Sequence, residues 1–368
     1  MRFAIWTFVP VLFAASAAHA DVVTLTSVRD GTLFQDANGA VANGSGPVLF
    51  VGRAGSTSTT PVRRALVRFD VAAALPAGST VNSAQLVLVN PSGNTGPRNV
   101  ELHLVLADWS EGASSTSSGP GAPSQPGDAT WIHRSYPSVF WAAASGDFDP
   151  LASASLVVDP LGTHTWPSTA RAVADVQGWL DAPASNFGWL LKLDVESVSN
   201  TTKVFGSRES TTPGERPALV IDFTPPPFST YCTASTSALG CVPAIGATGI
   251  PSASAGSGFV VTLANAVNQK SVLLAYGTSG PATQPFLGAL LCVAPPLKRT
   301  PFSSTGGSLG FNDCSGASAL DFNARIASGV DPALAAGVVV HAQWLARDPF
   351  NPLGSFSSSD GLRFTIAP

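Results

Sequence analysis

The sequence predicts an all-β protein built from two β-sandwiches, of which the second is smaller and contains disulfides. Three observations lead to this prediction: segments in which apolar and polar residues alternate, Gly/Pro/Asn/Ser clusters between those segments, and four cysteines confined to the region after residue 230. The 368 residues are 45% hydrophobic and only 11% charged, whereas soluble chains average about 25% charged. The 35 glycines and 30 prolines supply residues that end strands and form turns.

The first twenty residues have the pattern of a signal peptide. Arg2 is their only charged residue, an apolar run covers residues 3–15, and Ala18-His19-Ala20 matches a cleavage site. We therefore expect a mature chain that starts at Asp21 and is secreted, extracellular or held at the cell surface. No later stretch reaches about 18 uninterrupted apolar residues, so no membrane span is expected.

A proline run marks the predicted domain boundary. Residues 224–228 read Thr-Pro-Pro-Pro-Phe, a composition that favours extended polyproline II and stiffens a linker. We therefore predict an N-terminal domain over residues 21–223 and a C-terminal domain over residues 229–368.

Period-two alternation predicts strands with one buried face in the N-terminal domain. The predicted strands cover residues 63–70, 83–89, 99–106 and 219–223. Helical spacing of apolar residues predicts one helix over residues 168–180, with Ser168 as its N-cap. Residues 112–127 are rich in Gly, Ser and Pro, which predicts a long and mobile surface loop.

The C-terminal domain shows short apolar runs of the same kind. They cover residues 259–263, 272–276, 287–293, 338–347 and 362–366. In an exported protein, an even number of cysteines indicates disulfides. Four cysteines allow three pairings, and the spacing favours the local pairs Cys232–Cys241 and Cys292–Cys314. A zinc site is the alternative, but the close Cys or His spacing that it needs is lacking.

Charge and motifs exclude several classes of function. Removal of residues 1–20 leaves 18 basic against 23 acidic residues, which argues against a broad nucleic-acid surface. The sequence contains no H-E-x-x-H, C-x-x-C or EF-hand motif, and we expect no catalytic site and no cofactor. Structural Ca²⁺ is the ion retained, with Asp30, Asp36 and Asp70 as candidate ligands and ordinary Asx-turns as the alternative.

Aromatic and arginine residues give the candidate binding site. Sugars present C–H faces that stack on aromatic rings, and their hydroxyl groups pair with polar side chains. Trp131, Tyr136 and Trp141 flank the predicted loop region and are candidates for stacking, with Arg134 and Arg63 as hydrogen-bond donors. Arginine also fits carboxylate and sulfate groups, so an acidic glycan is considered. Three other tryptophans, Trp109, Trp179 and Trp189, are predicted to lie in the core.

Several motifs, in order over about 200 residues, resemble the DNRLRE domain family. They include Gly52-Arg53-Ala54-Gly55, Arg63-Arg64-Ala65-Leu66-Val67-Arg68-Phe69-Asp70, Leu75-Pro76-Ala77-Gly78-Ser79-Thr80-Val81, Ser83-Ala84-Gln85-Leu86, Asp108-Trp109-Ser110-Glu111-Gly112, Gly127-Asp128-Ala129-Thr130-Trp131, Phe205-Gly206-Ser207-Arg208-Glu209 and Arg216-Pro217-Ala218-Leu219. The resemblance implies a jelly-roll β-sandwich, often part of bacterial secreted or surface proteins. Some relatives are carbohydrate-binding modules for acidic polysaccharides such as alginate, and others have no known ligand. The segment 112–127 departs from the family pattern.

The C-terminal part carries a second resemblance. Residues 340–348 and 359–362 are similar to C-terminal β domains of secreted proteins from environmental bacteria. This resemblance implies no activity.

Three functions are considered, in order of preference. The first is non-catalytic binding of an extracellular, acidic or neutral polysaccharide. The second is a structural or adhesive role at the cell surface, with a matrix component as the partner and no small ligand. The third is a polysaccharide-degrading enzyme, which would need two acidic residues roughly 5–10 Å apart in one cleft. The oligomeric state is left open.

Overall fold

A computed structural model describes residues 20–159 and 161–368, so nearly all of the predicted signal peptide lies outside the described residues. The prediction of an all-β, multi-sandwich fold is confirmed: 42% of the residues are in strands and 8% in helices. The chain divides into two compact units between Pro226 and Pro227, inside the proline run. Among the described residues, no helix has the length and apolar character needed to cross a membrane.

The N-terminal unit is made of short strands with two helices. Its first strands are β1 (Asp21–Thr26), β2 (Arg29–Phe34), β3 (Val41–Asn43), β4 (Val48–Arg53), β5 (Val62–Arg68), β6 (Thr80–Asn90), β7 (Ser92–Gly93) and β8 (Arg98–Leu104). They are followed by β9 (Ala122–Pro123), β10 (His133–Ser135), β11 (Val139–Phe140), β12 (Ala154–Val158), β13 (Gly162–Thr165), β14 (Trp189–Leu193), β15 (Lys203–Gly206) and β16 (Ala218–Thr224). The helices are α1 (Val71–Ala74) and α2 (Ala170–Asp181), with 3₁₀ turns at Pro183–Ser185 and Pro213–Glu215.

Two antiparallel sheets pack face to face in this unit. One has the strand order β1-β16-β6-β13, and the other follows β12-β8-β14-β5-β2-β3-β9, with β4, β15 and β7 branching from it. Leu86 and Ile221 of the first sheet meet Val67 and Leu102 of the second in one buried apolar cluster. The predicted core positions Trp109, Trp179 and Trp189 are confirmed, since all three are buried.

The larger sheet is buried on both faces, and the expectation of one buried face is wrong there. Val67 of β5 points into the sandwich, while its neighbour Leu66 belongs to a second buried cluster on the other side. That second cluster contains Trp109 and Trp141, which come from the segment between β8 and β12. We call this covering layer, residues 105–149, the covering segment.

Residues 112–127, within the covering segment, are anchored to the sheet. β9 pairs with β3. Asp128 accepts hydrogen bonds from the backbone N–H groups of Ser114 (3.1 Å) and Gln125 (2.6 Å), which ties the two ends of the segment together. A Cβ at Gly44 would collide with the carbonyl oxygen of Glu111, so only glycine allows the covering segment to approach this closely.

Helix α2 closes one edge of the sandwich core. Its N-cap is Thr169, whose hydroxyl accepts from the N–H of Ala172 at 3.1 Å, and the predicted cap Ser168 instead accepts from the N–H of Ala84. Val176 and Trp179 turn inward.

The C-terminal unit is a second, smaller sandwich. It contains β17 (Phe228–Tyr231), β18 (Ala244–Thr248), β19 (Val260–Ala266), β20 (Ser271–Gly277), β21 (Pro281–Phe286), β22 (Ala289–Val293), β23 (Lys298–Arg299), β24 (Ser303–Ser304), β25 (Gly316–Asp321), helix α3 (Phe322–Ala327), β26 (Val339–Arg347) and β27 (Phe356–Thr365). A sheet ordered β17-β27-β26-β20-β23, joined by β24, packs on the sheet β18-β19-β25, while β21 and β22 form a hairpin. Val261 and Leu263 face Leu274 and Ala342 in its core.

The disulfides pair differently from the prediction. Cys232 is bonded to Cys292, and Cys241 to Cys314, with sequence separations of 60 and 73 residues. The local pairs inferred from spacing are therefore wrong. Packing of β17 near β22 brings the first pair together, and the hydroxyl of Tyr231 donates to the carbonyl of Cys292 at 2.9 Å beside that bond.

Candidate functional site

The three aromatic residues predicted to stack on sugar have different surroundings. Trp141 is only 5% exposed and donates from Nε1 to the carbonyl of Thr130 at 2.9 Å, so it is a core residue and cannot offer a stacking face. Trp131 is half-buried, and the guanidinium of Arg64 lies 5.1 Å from the centre of its ring. Tyr136 is half-buried at the end of a hairpin.

The hairpin β10–β11 adds one exposed ring, Phe140, that sequence reasoning did not assign to the site. Phe140 is 57% exposed, and its ring lies 4.4 Å from the ring of His133, which is buried. Tyr136 contacts the same imidazole edge-on at 5.1 Å. Burial lowers the pKa of His133, so the imidazole on which Phe140 and Tyr136 pack is neutral near pH 7. We call Tyr136, Phe140 and the supporting His133 the aromatic hairpin.

Of the two predicted arginine donors, only Arg134 is at the surface. Arg63 is 5% exposed, lies 5.6 and 5.8 Å from the ring centres of Phe34 and Phe50, and donates to the hydroxyl of Thr202 at 3.1 Å. Burial lowers its pKa. Arg63 is therefore a packing residue, because the β2 and β4 aromatic rings enclose it, and the expectation that it binds ligand is corrected.

Three arginines from different parts of the chain meet at Asp108. Arg29 and Arg68 both donate to Oδ1 of Asp108, at 3.2 and 3.5 Å, and Arg134 donates to its backbone carbonyl at 2.9 Å. Arg29 also donates to the carbonyl of Trp109 and lies 5.5 Å from the centre of its ring. We call Arg29, Arg68, Arg134 and Asp108 the arginine cluster.

Strand register explains how this cluster forms. Arg29 and Arg68 are directly opposite on β2 and β5, where like charges repel unless a countercharge lies between them. Asp108 supplies that countercharge from the covering segment. Asp70, two positions from Arg68, instead accepts from the N–H of Ala73 as the N-cap of α1. No local signal in the sequence identifies Asp108.

The Ca²⁺ candidates also separate into two kinds. Asp36 accepts from the backbone N–H groups of Asn38 and Ala40, and Asp70 caps α1, so both are turn and cap residues of the ordinary kind. Asp30 is fully buried and brings a carboxylate oxygen within 4.8 Å of oxygens of Glu111 and Glu209. We call these three residues the acidic cluster. Sequence reasoning missed Glu111 and Glu209 as its members, because they are 81 and 179 positions from Asp30.

Two surface hollows offer no pair of acids for hydrolysis. One, of about 440 Å³, is lined by Gly93, Asn94, Thr95 and Asn200. The other, of about 290 Å³, has Asp175 as its acidic residue. That side chain is buried and accepts from Nε1 of Trp189 at 2.7 Å, so it has a structural role.

Comparison with known proteins identifies no family for this chain. No protein-family model matches it, and no curated protein matches it. Among solved structures, a β-1,2-glucanase from Parabacteroides distasonis is similar at 11% sequence identity and a TM-score of 0.16. The match covers 96% of this chain and 37% of that enzyme, so this chain spans little more than a third of its length. A TM-score of that size supports no inference about fold or function.

Proposed function

We propose that this chain is a secreted, non-catalytic binding protein for an acidic polysaccharide, and that its N-terminal unit holds the binding surface. The observation that carries the proposal is the convergence of Arg29, Arg68 and Arg134 on Asp108, close to the hairpin that bears the exposed ring of Phe140. The resemblance to the DNRLRE family supports the same function.

The charge of the arginine cluster favours an anionic ligand. It contains three guanidinium groups and one carboxylate, and the side chain of Asp108 is 56% exposed. An exposed pair of this kind contributes only about 0–1 kcal/mol, so a ligand carboxylate or sulfate competes with Asp108 at little cost. The planar guanidinium fork matches either group.

The aromatic hairpin lies next to the arginine cluster. Arg134 belongs to β10, and its backbone carbonyl accepts from the N–H of Ser110, two residues beyond Asp108. The exposed ring of Phe140 and the edge of Tyr136 are therefore held on the same hairpin as one of the three guanidinium groups. We propose that Phe140 stacks on a sugar ring and that the arginine cluster binds an acidic group of the same polymer.

The acidic cluster does not favour the enzymatic alternative. Glycoside hydrolysis needs two carboxyl groups that reach the substrate. Asp30 is fully buried, and Glu111 accepts two hydrogen bonds from Arg208, at 2.7 Å each. Binding without hydrolysis is therefore the function that the geometry supports better.

Affinity electrophoresis of residues 21–368 tests the proposal. Gels would contain alginate, polygalacturonate or chondroitin sulfate as acidic polymers and dextran as the neutral one, all in EDTA. We expect retardation by at least one acidic polymer and none by dextran. Arg134→Ala should weaken retention about tenfold, a loss of roughly 1.4 kcal/mol.

Arg171→Ala is the matched control, because Arg171 lies on α2 and pairs with Asp149 instead. Free migration through every gel would refute the proposal and favour the adhesive alternative. Equal retention of the Arg134 and Arg171 variants would place binding elsewhere. Release of reducing ends would favour the enzyme.

A further inference from the structure

The acidic cluster joins three distant segments of the N-terminal unit. Asp30 belongs to β2, Glu111 to the covering segment, and Glu209 to the turn that follows β15. One carboxylate oxygen from each residue lies within 4.8 Å of the other two. In addition, the backbone N–H of Asp30 donates to Oε1 of Glu111 at 2.8 Å.

One carboxylate oxygen of Asp30 is buried without a partner. Oδ2 of Asp30 accepts from Ser27 Oγ at 3.1 Å and from the N–H of Arg208 at 2.8 Å. Oδ1 has no hydrogen-bond partner among the described residues, although Asp30 is fully buried. An unsatisfied buried carboxylate oxygen is costly, and buried charges are normally paired or bound to metal.

Arg208 compensates only part of the negative charge. Its guanidinium donates to both oxygens of Glu111 at 2.7 Å and forms an ion pair with Glu209 at 2.8 Å. Arg208 contacts Asp30 through its backbone N–H. Three carboxylates against one guanidinium leave two negative charges when all are ionised, which is the charge that a divalent cation would balance.

Burial is the main cause of the raised pKa values in the acidic cluster. Burial, followed by the charges of Glu209 and Glu111, raises the pKa of Asp30 to about 8, even though the N–H of Arg208 and the hydroxyl of Ser27 lower it. Burial also raises the pKa of Glu209. If a proton on Oδ1 neutralised Asp30, the resulting O–H group would have no acceptor. A bound cation would contact that oxygen directly.

We propose that the acidic cluster binds one Ca²⁺ ion through Oδ1 of Asp30 and one carboxylate oxygen each of Glu111 and Glu209. Ligands that are all oxygen suit a hard cation, and the irregular arrangement imposed by the Arg208 pair suits the flexible coordination of Ca²⁺ better than the strict octahedron of Mg²⁺. The ion would crosslink β2, the covering segment and the turn after β15. This inference is independent of polysaccharide binding.

Calcium titration of metal-free protein, residues 21–368, tests the inference without any polysaccharide. Isothermal titration calorimetry should show one Ca²⁺ bound per chain and weaker binding of Mg²⁺. At a Ca²⁺ concentration ten times the Kd, the Tm of the N-terminal unit should rise by about 3–6 °C over its value in EDTA.

Two variants and one control separate this site from any other. Asp30→Asn and Glu209→Gln should both lose the Ca²⁺-dependent rise in Tm, and Glu209 is the safer change because its side chain is partly exposed. Asp181→Asn, an exposed acid at the end of α2, should keep the whole rise. Absence of Ca²⁺ binding by the folded wild type, or binding that survives in both cluster variants, would overturn the inference.

Discussion

Arg29 and Arg68 occupy opposite positions of the β2–β5 ladder and both donate to the same oxygen of Asp108. The carboxylate comes from the covering segment, 79 residues after one arginine and 40 after the other. The surface that we propose for ligand binding is therefore also one of the points at which the covering segment is tied to the sheet.

Asp108→Asn should strengthen binding of an acidic polymer while weakening the fold slightly. The change leaves three guanidinium groups without their countercharge, but keeps the backbone carbonyl to which Arg134 donates. We expect greater retardation than wild type in the acidic gel and a loss of at most about 1 kcal/mol in the free energy of unfolding at low salt. Both effects should shrink as salt screens the charges.

Gel retardation and urea titration, each at low and high salt, measure these two quantities. Asp181→Asn serves as the control for the removal of one negative charge from the unit. Retention that is unchanged or weaker in the Asp108 variant would mean that the arginine cluster does not face the polymer.

Phe140→Ala should lower polymer retention, whereas Trp141→Ala should lower stability. Phe140 is exposed, so its removal should lower polymer retention about tenfold, roughly 1.4 kcal/mol, with little loss of stability. Trp141 is buried and hydrogen-bonded, so its removal should cost about 3–5 kcal/mol of unfolding free energy. Retention and urea midpoints of the two variants give the comparison, and normal retention of a folded Phe140 variant would refute the role of the aromatic hairpin.

The strands with clear alternation could be predicted because their pattern is local. Alternation over residues 63–70 predicted β5 (Val62–Arg68). Every second side chain of a strand points to the same face, so the alternation can be read from these residues alone. The same pattern did not reveal that Leu66 is buried on the other face, because Trp109 and Trp141 reach it from the covering segment.

The site was less predictable because its residues are distant in sequence. Trp131 and Trp141 are alike in type and only ten positions apart, yet only the contacts of the folded chain make one half-buried and the other a core residue. The acidic cluster depends on three segments brought together by strand order. Spacing along the chain holds no information on either arrangement.

His341→Phe should make the C-terminal unit less sensitive to acid. Burial first, and then the positive charge of Arg363 on β27, lower the pKa of His341, and Tyr231 on β17 contacts its ring edge-on. The folded state therefore holds the imidazole neutral. Its stabilising contribution is fully present above the unfolded pKa of about 6.5 and is lost as pH falls through the lower folded pKa.

Calorimetry at pH 7.5 and pH 5 measures the effect on the C-terminal transition. The fall in Tm between the two values should be smaller for the phenylalanine variant, which keeps the ring contact with Tyr231 but does not titrate. An equal fall in variant and wild type would show that other groups cause the acid sensitivity.

Reduction of the disulfides should destabilise the C-terminal unit more than it would if the cysteines were paired locally. Bonds that join residues 60 and 73 positions apart restrict the unfolded chain by about 4 kcal/mol each in the loop-entropy model. The local pairs, 9 and 22 positions apart, would give roughly 2–3 and about 3 kcal/mol. We expect the Tm of this unit to fall sharply in reductant while the N-terminal unit, which has no cysteine, is unchanged. Non-reducing peptide mapping checks the pairing directly, because Cys232 should be recovered with Cys292 and Cys241 with Cys314. Recovery of Cys232 with Cys241 would contradict the packing of β17 near β22, on which the long crosslink depends.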